Sequence, residues 1–379
     1  MKLETVRLPA FGDRDLVTGE IPKGIHAGKT FVLPARLAER YDVRDFFTAG
    51  GCGILFKGRD THTENDVLIK GILYDGPGSK LLSFLAAGDR AGTSKFIIGE
   101  RRKLELERRI AVWLKNAGVN AIPNPNDFVF DANPFFARTH TLDEGRGTWT
   151  IDEPAIIREE PYLVMEWVDG EQLQSWVESR RPADELRIIT VAIELCRILE
   201  VVHRPFTIAG EGGARRTVTL VYQDLKPENV MIGEADYVCL LDFGGCRVTV
   251  DGAEQSAGAF TAGYKAPECD GVRPVRASAD IYTVGSTLVA LLIGHALSEF
   301  ASRESQDASV DVAPQDGTIA VRQVGRDPKA YSPKCSPGLL HIIKKAMAKD
   351  PDERHASATE LARDLEACRL RVRFSRSHR

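Results

Sequence analysis

No C-x-x-C pair occurs in the 379-residue chain, and its seven cysteines are odd in number and scattered: Cys52, Cys196, Cys239, Cys246, Cys269, Cys335 and Cys368. That pattern excludes a disulfide framework and a cysteine zinc site, and it reads as the reduced thiols of a cytoplasmic protein. Long apolar runs are missing too. The N-terminal MKLETVRLPAFGDRD has no apolar signal region. The most apolar stretch, Ile281–Leu297, is short for a membrane span and has Asp280 and His295 at its ends. A buried core helix is expected there instead. An excess of positive charge is missing as well. The net charge of −4 at pH 7 speaks against a global field for nucleic acid or an anionic membrane. No repeat with a period of about 20–50 residues is evident.

What is present is ordinary soluble material, 43% hydrophobic and 27% charged, enough for a sizeable core. At about 100–200 residues per domain the length allows two or three units, or one large bilobed one. Residues 1–40 mix glycine, proline and charge without clear periodicity and read as an extension that wraps a neighbour or stays mobile. Within them Gly24-Ile-His-Ala-Gly28-Lys29-Thr30 imitates a phosphate-binding loop but has one residue too few between its glycines, so a turn is expected. From Tyr41 strand-like runs follow at Tyr41–Phe47, Ile54–Lys57, Asp66–Leu73, Asp127–Phe130 and Tyr162–Val168. An amphipathic helix is expected over Lys95–Ala117, closed by Gly118. Beyond residue 170 helices dominate: Pro182–His203, with proline in its first turn, Gly338–Ala348 and Ala358–Ala367.

The densest chemistry lies in Tyr222-Gln-Asp-Leu-Lys-Pro-Glu-Asn-Val-Met-Ile232, followed by Leu240-Leu-Asp-Phe-Gly244. A site for phosphoryl transfer must hold magnesium against a polyphosphate, place a carboxylate beside the attacking hydroxyl and supply a cation for the moving charge. Asp224 and Asn229 lie five residues apart in one tight loop. The Asn229 amide oxygen and the Asp242 carboxylate are the hard oxygen ligands that magnesium takes. Lys226, between Asp224 and Asn229, supplies the cation.

These segments resemble the catalytic loop H-R-D-L-x-x-x-N and the D-F-G motif of eukaryotic-like Ser/Thr protein kinases, and are closest in texture to bacterial members. The resemblance covers about residues 40–367. It implies an α+β, bilobed fold: a small N-terminal lobe (41–168) with an antiparallel sheet and one long helix, a larger, mostly helical C-terminal lobe (169–367), and ATP bound between the two. A basic tail, 368–379, carries five arginines; it is read as solvated or able to touch an acidic partner, with no clear nucleic-acid binding. The implied cofactors are ATP and Mg, and the implied partner is a protein substrate. Asp224 is then the base and Lys226 its catalytic companion, with Asn229 and Asp242 as metal ligands. Thr261, in Thr261-Ala-Gly-Tyr-Lys-Ala-Pro-Glu268, belongs to the activation segment and faces Asp224 and Lys226. Asp280 braces the catalytic loop, and Arg354 is the buried partner of Glu268. Val67-Leu-Ile-Lys70 resembles V-A-I-K. Before it, Thr48-Ala-Gly50-Gly51-Cys-Gly53-Ile-Leu55 resembles the glycine-rich loop, with Gly50, Gly51, Gly53 and Leu55 near the nucleotide. Glu107 is the expected helix partner of Lys70, with Glu105 as alternate. In the hinge-like run Tyr162–Gly170, Met165 gates the adenine pocket, and backbone groups of Glu166 and Val168 meet the adenine edge.

Two departures matter. Thr48 stands in place of the first loop glycine. Gln223 replaces the arginine before the catalytic aspartate, and glutamine offers no charged fork for a phosphate. An enzyme independent of activation-segment phosphorylation is therefore expected. A nucleotide-binding scaffold and a kinase-fold enzyme acting on a non-protein substrate remain as alternatives. Segments 75–94, 131–160, 205–219 and 299–335 are long for a minimal kinase and are read as insertions.

Overall fold

The computed structural model describes residues 3–7, 13–22, 27–50, 53–74, 80–132, 140–141, 148–149, 159–179, 184–234, 237–258, 260–261, 263–270, 274–294, 296–297, 309–312, 319–322 and 335–377. The chain divides into two compact units, residues 1–112 with 123–168 and residues 113–122 with 169–379.

The first unit opens with β1 (Glu4–Val6), β2 (Leu16–Glu20) and β3 (Thr30–Pro34), a three-stranded antiparallel sheet. Then come β4 (Arg36–Leu37), β5 (Tyr41–Gly50), β6 (Gly53–Asp60), β7 (Asp66–Ile72), α1 (Leu81–Ala86), α2 (Arg90–Asn116), β8 (Pro125–Ala132), the short β9 (His140–Thr141) and β10 (Thr148–Trp149), and β11 (Glu159–Glu166). A six-stranded antiparallel sheet has the order β4-β5-β6-β7-β11-β8. Alternation sends Tyr41, Val43, Ile54, Phe56, Val67, Ile69 and Val164 into one apolar cluster.

Residues 1–40, where they are described, contribute strands and core side chains. Val17, Ile21, Phe31, Leu33 and Leu37 are buried in that same cluster. The Phe31 ring stacks on Phe46 at 5.8 Å and meets Phe56 edge-on at 5.1 Å. The alternation of Phe31 and Leu33 across one face was hidden by the flanking glycines and prolines. The imitation phosphate loop falls partly outside the described residues; its end forms the β2–β3 turn, where the Gly28 N–H donates to the Ile21 carbonyl at 3.0 Å.

The second unit contains β12 (Glu171–Gln172), α3 (Leu173–Ser179), α4 (Glu185–Val202), β13 (Phe206–Ala209), β14 (Arg215–Val221), β15 (Val230–Ile232), β16 (Val238–Leu240), β17 (Arg247–Val250), β18 (Ala253–Ala257), α5 (Ser278–Ile293), β19 (Ser309–Val312), β20 (Ile319–Arg322), α6 (Pro337–Ala346) and α7 (Ala358–Ser377). Helix α4 begins at Asp184, whose carboxylate accepts the Leu186 N–H at 3.3 Å. The expected opening proline, Pro182, lies outside the described residues. Helix α5 is buried along most of its length. No helix among the described residues is long and apolar enough to cross a membrane.

Two differences from the expected layout stand out. Segment 205–219, read as an insertion, forms a hairpin inside a four-stranded antiparallel sheet, β13-β14-β17-β18. Its β-branched residues Thr207, Ile208, Thr217, Val218, Thr219 and Val221 favour strands, and the glycines sit only in the connection. The second unit is therefore less purely helical than expected. Helix α7, expected to end at Ala367, runs on to Ser377 because Cys368 and Val372 continue its buried stripe. Most of segments 131–160 and 299–335 lies outside the described residues.

Candidate active site

Two clusters form, one in each unit. In the first, Lys70 on β7 and Glu107 on α2 are both buried, and the ammonium lies 2.8 Å from each carboxylate oxygen. Glu105, the alternate, is exposed on the same helix. Helix periodicity separates them: two residues on, the side chain has turned by about 200°.

Opposite Lys70 on β6 is Leu55, and next to the hairpin end Gly50 pairs with Gly53. Gly51 lies outside the described residues. Gly53 has a steric reason: a Cβ there would stand 2.7 Å from Lys70 Cε. The missing side chain gives the lysine stem its path to Glu107. Gly53→Ala should therefore push the lysine stem aside and loosen the Lys70–Glu107 pair. Acylation of Lys70 by an amine-reactive ester, read by peptide mass spectrometry on the folded variant, should rise, and unchanged labelling overturns this.

Met165 packs with Leu55, Leu68, Leu104 and Leu163. The Glu166 carboxylate accepts from the Asn124 side-chain amide at 2.6 Å, and the Glu166 N–H donates to the Asn124 carbonyl at 2.8 Å. The Glu166 side chain is thus engaged by Asn124, a partner that no local motif announces. Val168 is half-buried.

In the second unit the loop 222–229 is tied down from several sides. Asp280, fully buried, accepts the backbone N–H of Tyr222 at 2.8 Å and of Gln223 at 2.7 Å, and its carboxylate also meets His203 Nε2 at 2.7 Å. The Tyr222 hydroxyl donates to the Leu241 carbonyl, and its ring meets Phe243 edge-on at 5.4 Å. Gln223 and Asp242 both hold positive φ, 65° and 54°. Such strain in non-glycine residues is kept only where the surroundings enforce it.

The chemistry-bearing side chains converge. Thr261 Oγ1 donates to Asp224 Oδ1 at 2.7 Å and accepts from Lys226 Nζ at 2.6 Å. Lys226 Nζ also lies 3.1 Å from Asp224 Oδ2. The Asn229 amide donates to the Asp224 carbonyl at 2.9 Å and to its carboxylate at 3.1 Å. Burial works against the Lys226 charge, but Asp224, Glu228 and Asp242 outweigh it and hold its pKa above the ordinary lysine value.

With its NH₂ spent on Asp224, Asn229 has its amide oxygen left to serve a cation. Asp242 supplies a carboxylate, and one of its oxygens accepts the Gly244 N–H at 3.1 Å. No group of three or more His, Cys, Asp or Glu side chains among the described residues could hold a metal by itself. The Asn229–Asp242 pair fits Mg²⁺, which is commonly bound by one or two protein ligands and completed by phosphates and water.

Glu268 and Arg354 form a two-pronged ion pair at 2.7 Å per prong, with side chains 2% and 0% exposed.

Residues 151–364, more than half of the chain, match the protein kinase domain. The chain belongs to the protein kinase family. Its curated relatives include a probable serine/threonine-protein kinase of Streptomyces coelicolor, 29% identical over 339 residues that make up 88% of this chain and 41% of that one. The serine/threonine-protein kinase PknB of Mycobacterium tuberculosis is 26% identical over 336 residues, 88% of this chain and 43% of PknB. A probable serine/threonine-protein kinase of Corynebacterium efficiens is 30% identical over 214 residues, 54% of this chain and 29% of that one. The chain spans less than half the length of these relatives. The family drawn from the motifs is thus the family that the chain matches, and its relatives named above are bacterial Ser/Thr kinases.

Proposed function

We propose that this kinase transfers the γ-phosphoryl group of ATP to serine or threonine hydroxyls of a protein substrate. The convergence of Asp224, Lys226 and Thr261 carries the reading. Thr261 Oγ1 already bonds to both a carboxylate and an ammonium, an arrangement that suits a second hydroxyl beside it. The substrate oxygen attacks the γ-phosphorus, its proton passes to Asp224, and the bond from that phosphorus to the bridging oxygen breaks to release ADP. Lys226 offsets the charge on the moving phosphoryl group. Lys70, held by Glu107, serves the ATP phosphates, and the strand around Met165, Glu166 and Val168 serves the adenine. Asn229 and Asp242 would hold Mg²⁺, which neutralises phosphate charge when bound.

Activity without phosphate on the activation segment is part of the same proposal. Gln223 is buried and neutral, and its amide donates to Cys269 Sγ at 3.8 Å. Gly258, with φ 75°, closes against it; a Cβ there would stand 1.8 Å from Gln223 Oε1. Gln223 thus brings no charge of its own to a phosphate, and its amide is packed directly against Gly258. The start of the segment is held by other means, with β17 paired to β14 and Asp251 accepting the Thr217 N–H at 2.7 Å.

Phosphatase-treated protein, and the Thr249→Ala/Ser256→Ala variant, should carry label from γ-labelled but not α-labelled ATP to a generic basic protein, on Ser or Thr. Label from the α position points to nucleotide transfer and overturns the reading. Activity that appears only after phosphorylation overturns the independence.

A further inference from the structure

Helix α2 carries Glu107, and something other than Glu107 must hold the helix where that residue meets Lys70. Six residues earlier, about 9 Å along the helix axis, Arg101 reaches β11. Its guanidinium lies 3.1 Å from Glu160 Oε2 and donates to the Glu159 carbonyl. The other Glu160 oxygen accepts the Tyr74 hydroxyl at 2.6 Å. Tyr74 lies two residues beyond the end of β7, the strand that bears Lys70, and is 2% exposed; Glu160 is 3% exposed. A single buried carboxylate thus joins α2, β11 and the end of β7. Leu81 and Ile97 pack around Tyr74 and seal the contact with apolar side chains.

Charge makes the join directional. Glu160 lies directly across the β8–β11 ladder from Asp131, which is also buried. Facing carboxylates repel. Arg14 relieves Asp131 at 2.6 Å, and Arg101 relieves Glu160. Burial lowers the pKa of Arg101, but Glu160 and Tyr74 outweigh it and raise the value. Apolar residues could hold a helix on a sheet with less desolvation cost. An ion pair adds a fixed distance and orientation.

We propose that Glu160 is a positioning residue. Through Arg101 and Tyr74 it holds α2 at the setting in which Glu107 engages Lys70. The functional importance of that setting rests on the kinase reading above.

The test is acylation of Lys70 by an N-hydroxysuccinimide ester on the full chain, below the unfolding midpoint, read by peptide mass spectrometry beside kcat/KM for ATP. Glu160→Gln and Arg101→Met should raise Lys70 labelling and lower kcat/KM, each by about tenfold. Arg101→Lys, which keeps the charge, should recover most of both. If Glu160→Gln does not fold, Tyr74→Phe and the two Arg101 variants decide the matter by their order of labelling. Unchanged Lys70 labelling in the folded variants overturns the proposal, even where the unfolding midpoint drops. Labelling needs no turnover. An inactive wild type with raised labelling in the variants would therefore remove the kinase reading and leave the positioning role standing.

Discussion

Asp224→Asn should reduce phosphoryl transfer by about 10²–10⁴-fold, the range a positioned general base contributes, while ATP binding stays within a few-fold of wild type. The geometry explains the split. Asp224 is the acceptor for the Thr261 hydroxyl, for one Lys226 N–H and for the Asn229 amide. Asparagine keeps the volume but cannot take a proton. Its NH₂ would also face donors that now find an acceptor. Lys70, Glu107 and Met165 lie in the other unit and keep their partners, so the groups proposed for the nucleotide are untouched. A fluorescent-nucleotide titration and single-turnover transfer on the same sample check this. A variant within about tenfold of wild type in rate would mean that Asp224 is not the base.

A second signature accompanies the first. Lys226 is buried, and its raised pKa depends on Asp224, Glu228 and Asp242. A lysine whose folded-state pKa is raised keeps its favourable charge below the unfolded value and loses it as pH rises through the folded one. Removing the Asp224 charge lowers that folded value. Whatever rate remains in Asp224→Asn should therefore fall away on the alkaline side at lower pH than in wild type. A remaining rate with an unshifted alkaline limb would show that Lys226 does not act through its charge.

Much of the site was legible because its residues are local in sequence. Asp224, Lys226 and Asn229 share one loop, and Asp242 follows within one short strand pair, so spacing and the resemblance to the kinase motifs together suggested the chemistry. Lys70 and Glu107 are far apart, and Glu107 was preferred to Glu105 because Leu114 then falls seven residues later, as in the helix of the family that the motifs resemble. The N-terminal strands were missed for the opposite reason. Phe31 and Leu33 acquire meaning only against Phe46 and Phe56, and alternation too short to notice is completed by the sheet it joins. The hairpin 206–221 was read only as an insertion, because its strands gain their pairing from β17, reached only after residues 222–229. Gly258 carried no signal, since its need for a missing Cβ comes from Gln223 alone. Glu160 lay at the end of a charged, proline-flanked run. Its partners Tyr74 and Arg101 come from a strand end and a helix that sequence cannot align.

Arg354→Leu should destabilise the chain by about 3–5 kcal/mol, the cost of leaving a buried charge without its partner. The Glu268 carboxylate is 2% exposed in its side chain and has both oxygens on the guanidinium. Water cannot replace the lost partner without opening the core. Arg354 also serves the backbone: it donates to the Ala348 carbonyl at 2.8 Å and the Ser278 carbonyl at 2.8 Å, and it lies over the Tyr282 ring at 5.1 Å. These extra bonds shape the outcome of the double variant. Glu268→Leu/Arg354→Leu removes the orphaned charge and should recover part of the loss. About 1 kcal/mol for each carbonyl left without its donor should persist. Urea unfolding of the four proteins, with a common slope, measures both quantities. Glu268 closes the segment that begins at Thr261, so the single variant should also lose activity in its folded fraction as that anchor slackens. A loss below about 1 kcal/mol in Arg354→Leu, the level of an exposed pair, would mean that the guanidinium is not holding this segment. A double variant as unstable as the single would place the cost in the backbone carbonyls and not in the stranded carboxylate.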